Sequence, residues 1–129
     1  MDRPELPADV LAFIDGQIDT VPHLEALLLL WESAPEPWGA DEIAARIYVS
    51  PDTATQILRD LVRRNLARGV TEGAPQFAYD SAWDARGDLM AKVAAAYRRN
   101  LIFVAQQIHS KASAAVREFA RAFEIKKDG

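Results

Sequence analysis

The chain of 129 residues contains no cysteine, which excludes a disulfide scaffold, a thiolate metal site and a cysteine nucleophile together. It has two histidines, His23 and His109, so a zinc site would have to lean on carboxylates, and no metal site is expected. Long apolar runs are also missing. The longest strictly apolar stretch is residues 26–31, against the roughly 20 residues needed to cross a bilayer. The first 15 residues are acidic and interrupted by Pro4 and Pro7, unlike a targeting segment with a basic start and an apolar centre. A soluble, cytoplasmic protein with no membrane contact is the expectation. Motifs of catalysis are absent too: no glycine-rich phosphate loop, no serine in a nucleophile elbow, no histidine with a carboxylate at metal-ligand spacing. Neither an enzyme nor a bound cofactor is expected.

What the chain does have is 50% hydrophobic and 26% charged residues, enough to close one core. Its net charge of −4 taken whole argues against nucleic acid, because phosphate-binding surfaces are basic. The total averages two unlike regions. Residues 1–45 hold ten acids and a single base, Arg3, whereas residues 46–129 hold nine acids and fourteen bases.

Helical periodicity opens at residues 8–18, where Val10, Leu11, Phe13, Ile14 and Ile18 form one stripe. Thr20 is placed to cap a second helix, with Pro22 in its first turn and Leu24, Leu27, Leu28 and Trp31 along one side. Leu29 and Leu30 make that helix apolar nearly all round, which predicts a central position. The two prolines and the glycine of residues 33–39 end it. A short helix over residues 42–48 turns Ile43, Ala44 and Ile47 inward. Ser50-Pro51-Asp52 then supplies a serine N-cap, proline at the first helical position and an acid at the positive helix end. The helix it opens should run to about Arg64, bury Ala54, Ile57, Leu58 and Leu61, and stop at Asn65 in the left-handed conformation. Residues 66–70 and 76–79, joined by Thr71-Glu72-Gly73-Ala74-Pro75, read as a hairpin. Residues 83–109 read as one long helix of roughly 40 Å, with Gly87 marking a late start or a bend, and residues 113–125 as a last amphipathic helix.

This order resembles the winged helix-turn-helix DNA-binding domain, in particular its MarR-type bacterial form. The resemblance is carried by ADEIAARIYVSPDTATQILRDLVRRNLA, residues 40–67, with small Ala44 at the helix crossing, Val49-Ser50 in the turn, Ala54 and Leu58 anchoring the second helix and Leu66 starting the wing. It implies a mainly α fold: a winged helix-turn-helix over residues 20–80 with a small β-hairpin wing, an N-terminal helical arm over residues 1–19, and long C-terminal dimerisation helices within residues 81–129. It also implies a transcriptional regulator that binds double-stranded DNA as a homodimer. Its recognition helix would enter the major groove of a short inverted repeat.

On that helix, Thr53, Thr55 and Gln56 are candidate base contacts and Arg59, Arg63, Arg64 and Arg68 candidate phosphate contacts. Residues 59–68 carry four bases and one acid, Asp60, the densest positive run in the chain. The dimer interface is expected on Leu89, Val93, Tyr97, Leu101, Val104, Ile108, Phe119 and Phe123. The wing tip carries Glu72 and no base, and Asp52 would also face phosphate. These acids sustain a second expectation, a winged-helix module that binds a partner protein and not DNA. Trp38 and Trp83 are candidates for a ligand or partner surface, since effector sites of such regulators lie between the winged domain and the dimerisation helices; Trp31 reads as core. His23 is expected to be partly exposed in a first helical turn, and His109 to meet the negative end of its helix.

Overall fold

The computed structural model describes residues 6–70, 75–84 and 88–110. In chain order these form α1 (Ala8–Gln17), α2 (Val21–Glu32), β1 (Trp38–Gly39), α3 (Ala40–Ile47), α4 (Pro51–Arg63), β2 (Ala67–Val70), β3 (Gln76–Tyr79), a 3-10 turn (Ser81–Asp84) and α5 (Asp88–Arg99). Residues 101–110 are again helical. The expected helix at residues 113–125 lies outside the described residues.

The boundaries follow from local chemistry. Thr20 Oγ1 accepts from the backbone N–H of His23 at 3.3 Å and opens α2. Ser50 Oγ accepts the N–H of Thr53 at 3.1 Å and opens α4, and Asn65 follows that helix with φ 62°. The Gly39 N–H donates to Glu42 Oε1 at 3.0 Å, so an acid of the first turn caps α3. Ala54, Ile57, Leu58 and Leu61 are all buried, as the period of α4 requires.

α2 is the centre of the fold, packing against α3, α4, α5 and β3. The strands form one antiparallel sheet in the order β1-β3-β2. Arg68 pairs with Ala78 and Gly69 with Phe77 in the hairpin, while Trp38 pairs with Phe77 on the other side of β3. A two-residue strand is too short for any periodicity, so residues 33–39 read in sequence only as a break.

The expected single helix over residues 83–109 is corrected. The chain first makes the 3-10 turn, and Asp84 Oδ2 then accepts the Met90 N–H at 3.0 Å in the first turn of α5. Asn100 interrupts the helix. Its N–H still reaches Ala96 O and its own carbonyl accepts from Val104, both at 2.9 Å, so it ends one helix and begins the next. Asparagine favours such ends because its amide competes locally with the helix backbone. Gly87 lies outside the described residues.

α1 packs against α5, and Phe13 stacks on Trp83 with centroids 5.2 Å apart and planes 9° apart. Trp83 meets Tyr79 edge-on at 6.1 Å. Trp83 thus packs, partly buried, between Phe13 and Tyr79. The Tyr79 hydroxyl is buried and has no hydrogen-bond partner among the described residues. Burial, then the charges of Asp84 and Asp80, push its phenol well above its ordinary value. The folded chain therefore keeps this proton where an unfolded chain releases it, near pH 10. The stability it contributes is whole below about pH 10 and is lost as pH rises beyond that point. Tyr79→Phe removes an orphan hydroxyl, so urea unfolding at pH 7 should show equal or greater stability. Above pH 10 the variant should lose less stability than the parent; a loss of more than about 1 kcal/mol at pH 7 would contradict an unpartnered hydroxyl.

Candidate nucleic-acid interface

The outer face of α4 is the candidate reading surface, and its N-terminus is fixed by a reciprocal cap. Ser50 Oγ accepts the Thr53 N–H while its own hydroxyl donates to Thr53 Oγ1 at 2.8 Å. Pro51, Asp52, Thr53, Gln56, Arg59 and Arg63 are exposed along this face. Thr55 is half-buried and its hydroxyl donates back to Pro51 O at 3.0 Å, which removes its donor from the surface. Thr55 and Arg59 border a groove of about 460 Å³ between α4, the start of α3 and the hairpin, where Asp41, Glu42 and Phe77 also lie.

The four arginines of the positive run do not behave alike. Arg59 on α4 and Arg68 on β2 are exposed and form no ion pair among the described residues. Arg63 pairs with Asp60 one turn earlier. Arg64 is turned away from the reading face: Nη2 meets Asp19 Oδ1 at 2.8 Å and Nη1 donates to Gly16 O at 2.9 Å. The expectation of Arg64 as a phosphate contact is thereby corrected, because its guanidinium ties the end of α4 to the α1–α2 junction.

Asp60 organises the middle of this surface. Its Oδ2 lies 2.8 Å from His23 Nε2, while its Oδ1 accepts from Gln56 Nε2 at 3.0 Å and from Arg63. An ionised carboxylate only accepts, so Nε2 carries a proton. His23 Nδ1 lies 2.6 Å from Thr20 Oγ1, which can donate to a neutral ring or accept from a charged one. His23 is 8% exposed, so the expectation of a partly exposed first-turn histidine is overturned: α4 covers it. Donor atoms of Asp19, His23 and Asp60 come within 4.8 Å of one another, close enough to surround a cation. Both carboxylates already accept from guanidinium groups, however, and two adjacent arginines oppose a dication. The cluster is best described as an ion-pair network that joins α2 to α4.

Set against known proteins, the chain matches no family model and no curated sequence. It does match solved structures. A MarR family protein from Bacillus stearothermophilus superposes with TM-score 0.52 at 16% identity, over 93% of this chain and 83% of that one. The YusO protein from Bacillus subtilis does so with TM-score 0.51 at 22% identity, over 88% and 83%. The fold is that of a MarR-type winged helix.

Within this MarR-type fold the expected dimer stripe divides. Val93, Val104 and Ile108 are buried inside the single chain, and Leu89 and Tyr97 pack half-buried against its core; the first three are corrected to core positions. Leu101 stays 51% exposed and its neighbour Ile102, which the stripe passed over, 71%. A helical period identifies an apolar face but not which part of it the chain's own core takes. Phe119 and Phe123 lie outside the described residues. His109 is exposed near the end of the 101–110 helix.

A cavity of about 260 Å³ lies between α2, α3 and α5, lined among others by Glu25, Glu32, Arg46, Tyr97 and Arg98. Burial, then the charge of Glu25 and a hydrogen bond to it, raise the Tyr97 phenol above its ordinary value, and Arg98 pairs with Glu32. No tryptophan lines this cavity. Trp38 instead donates from Nε1 to Ser33 Oγ at 2.7 Å and lies under the Arg46 guanidinium, 5.5 Å from the ring centroid. Trp31 is half-buried against the core.

Asp60→Ala should test the α2–α4 network. It removes the Asp60 carboxylate from the buried His23 ring and from Gln56 and Arg63, and should lower stability by about 1–3 kcal/mol in urea unfolding with the m-value unchanged. An unchanged midpoint would show that the Asp60 carboxylate contributes nothing to joining α2 and α4.

Proposed function

We propose that the protein is a dimeric DNA-binding transcriptional regulator of a bacterial cytoplasm, acting by binding and not by catalysis. Residues 20–80 form the reading unit, and residues 1–19 and 81–129 bring two copies together, with Leu101 and Ile102 in the contact. The observation that carries this reading is the face of α4. A helix held on its inner side by four buried residues and capped at its N-terminus presents Thr53, Gln56 and Arg59 outward on a winged-helix frame. Such a helix offers donors and acceptors to base edges in the major groove, while flanking cations position it on phosphates. Arg59 and Arg68 are the principal phosphate contacts in this arrangement. Arg63 is a weaker one because Asp60 shares its charge, and Arg64 acts through the fold. Thr55 contributes packing beside the groove it borders. Two copies would set their α4 helices about 34 Å apart, one DNA turn.

The acids near this face support a second reading. Asp52 is exposed on α4, and Asp41 and Glu42 stand beside the Arg59 groove. These residues fit a winged helix that binds a partner protein, and duplex DNA separates the two readings. Binding of a random-sequence duplex at low salt should weaken steeply as salt rises. Arg59→Ala and Arg68→Ala should each reduce the slope of log K against log salt by about one per protomer, and Arg64→Ala should lower stability more than it changes the slope. No binding by the parent chain at low salt would exclude the DNA reading in favour of the protein-binding one.

A further inference from the structure

Tyr48 stands in the turn between α3 and α4, two residues before the Ser50 cap. Two features make it costly to the fold. Its backbone is left-handed, φ 59° and ψ 49°, at a helix C-terminal position where glycine avoids the clash of Cβ with the following carbonyl oxygen and asparagine offsets it by local hydrogen bonding, a penalty of about 1 kcal/mol or more. The chain follows that preference at the end of α4, where Asn65 takes the equivalent conformation. The side chain of Tyr48 is also 93% exposed, so its ring contributes almost no burial. Neither packing nor backbone preference accounts for tyrosine here.

What the residue supplies is an exposed, neutral hydroxyl two residues before the N-cap of α4. Its sequence neighbours on that end are exposed: Ser50, Pro51, Asp52 and Thr53. The Ser50 hydroxyl spends its proton on Thr53 Oγ1 within the cap, Thr53 lies inside the first turn of the helix as a base-contact candidate, and the Asp52 carboxylate repels phosphate. Tyr48 therefore offers this end of the helix a donor that is outside the cap and has no charge of its own. We propose that Tyr48 is a further DNA-contacting residue whose hydroxyl donates to a backbone phosphate at the edge of the groove entered by α4. The proposal rests on the DNA-binding reading above. Tyrosine is among the side chains that position proteins on phosphates without reading sequence.

The test uses the full chain and its variants Tyr48→Gly and Tyr48→Phe with a random-sequence duplex at low salt. Tyr48→Gly relieves the left-handed penalty and should be at least as stable as the parent in urea. Both variants should bind DNA about tenfold more weakly, the size of one lost hydrogen bond to a charged group. Because the hydroxyl is neutral, the slope of log K against log salt should not change, unlike that of Arg59→Ala. Parental affinity in Tyr48→Phe would overturn the hydroxyl contact while leaving the DNA reading in place. Absence of DNA binding by the parent chain itself would overturn both.

Discussion

The arrangement of the outer face of α4 depends on one pair, buried His23 with half-buried Asp60. The two residues sit 37 positions apart in sequence and 2.8 Å apart in the fold, and they join the central helix to the reading helix. The pair acts in two directions. Inward, it satisfies a ring nitrogen that α4 has removed from water; outward, it aims the second oxygen of Asp60 at Gln56 and Arg63. Two side chains of the reading face are thus held by a group anchored beneath it. A surface built this way arrives at a ligand with part of its side-chain ordering already done, which reduces the entropy cost of binding.

The same network changes the electrostatics of the positive run. Four arginines and one acid within ten residues look like a strong footprint, yet Asp60 shares the charge of Arg63, and Asp19, from the acidic first third of the chain, takes up Arg64. Arg59 and Arg68 remain exposed. At a Debye length of about 8 Å in physiological salt, these local charges set the potential at this face more than the total of −4 does.

Sequence chemistry was a good guide wherever neighbours in the chain decide the outcome. Ser50, Pro51 and Asn65 mark both ends of α4, the period selects its four buried residues, and the hairpin follows from short β-prone runs around a Gly-Pro link. Features that depend on distant partners were not legible. Nothing around His23 announces that Asp60 will cover it, nor does anything around Arg64 announce Asp19. The strand at Trp38–Gly39 exists because β3 offers it an edge, not because two residues prefer extension. The stripe through α5 and the 101–110 helix was visible, but its division between the chain's own core and a free surface depends on where Asn100 redirects the chain.

The all-round apolarity of α2 has its explanation in the same geometry. At 100° per residue, Glu25 and Glu32 fall on nearly one face of α2, while His23 lies about 200° from Glu25, on the far side. The carboxylate face meets α5 through Tyr97 and Arg98; the histidine face meets α4 through Asp60. A helix clasped on both sides must be apolar over the rest of its circumference, and Leu24, Leu27 and Leu30 are accordingly fully buried. The few polar residues on α2 therefore mark its contacts. Each stands where the central helix is tied either to the reading helix or to the C-terminal helix, so the two outer elements take their positions from a single rigid reference.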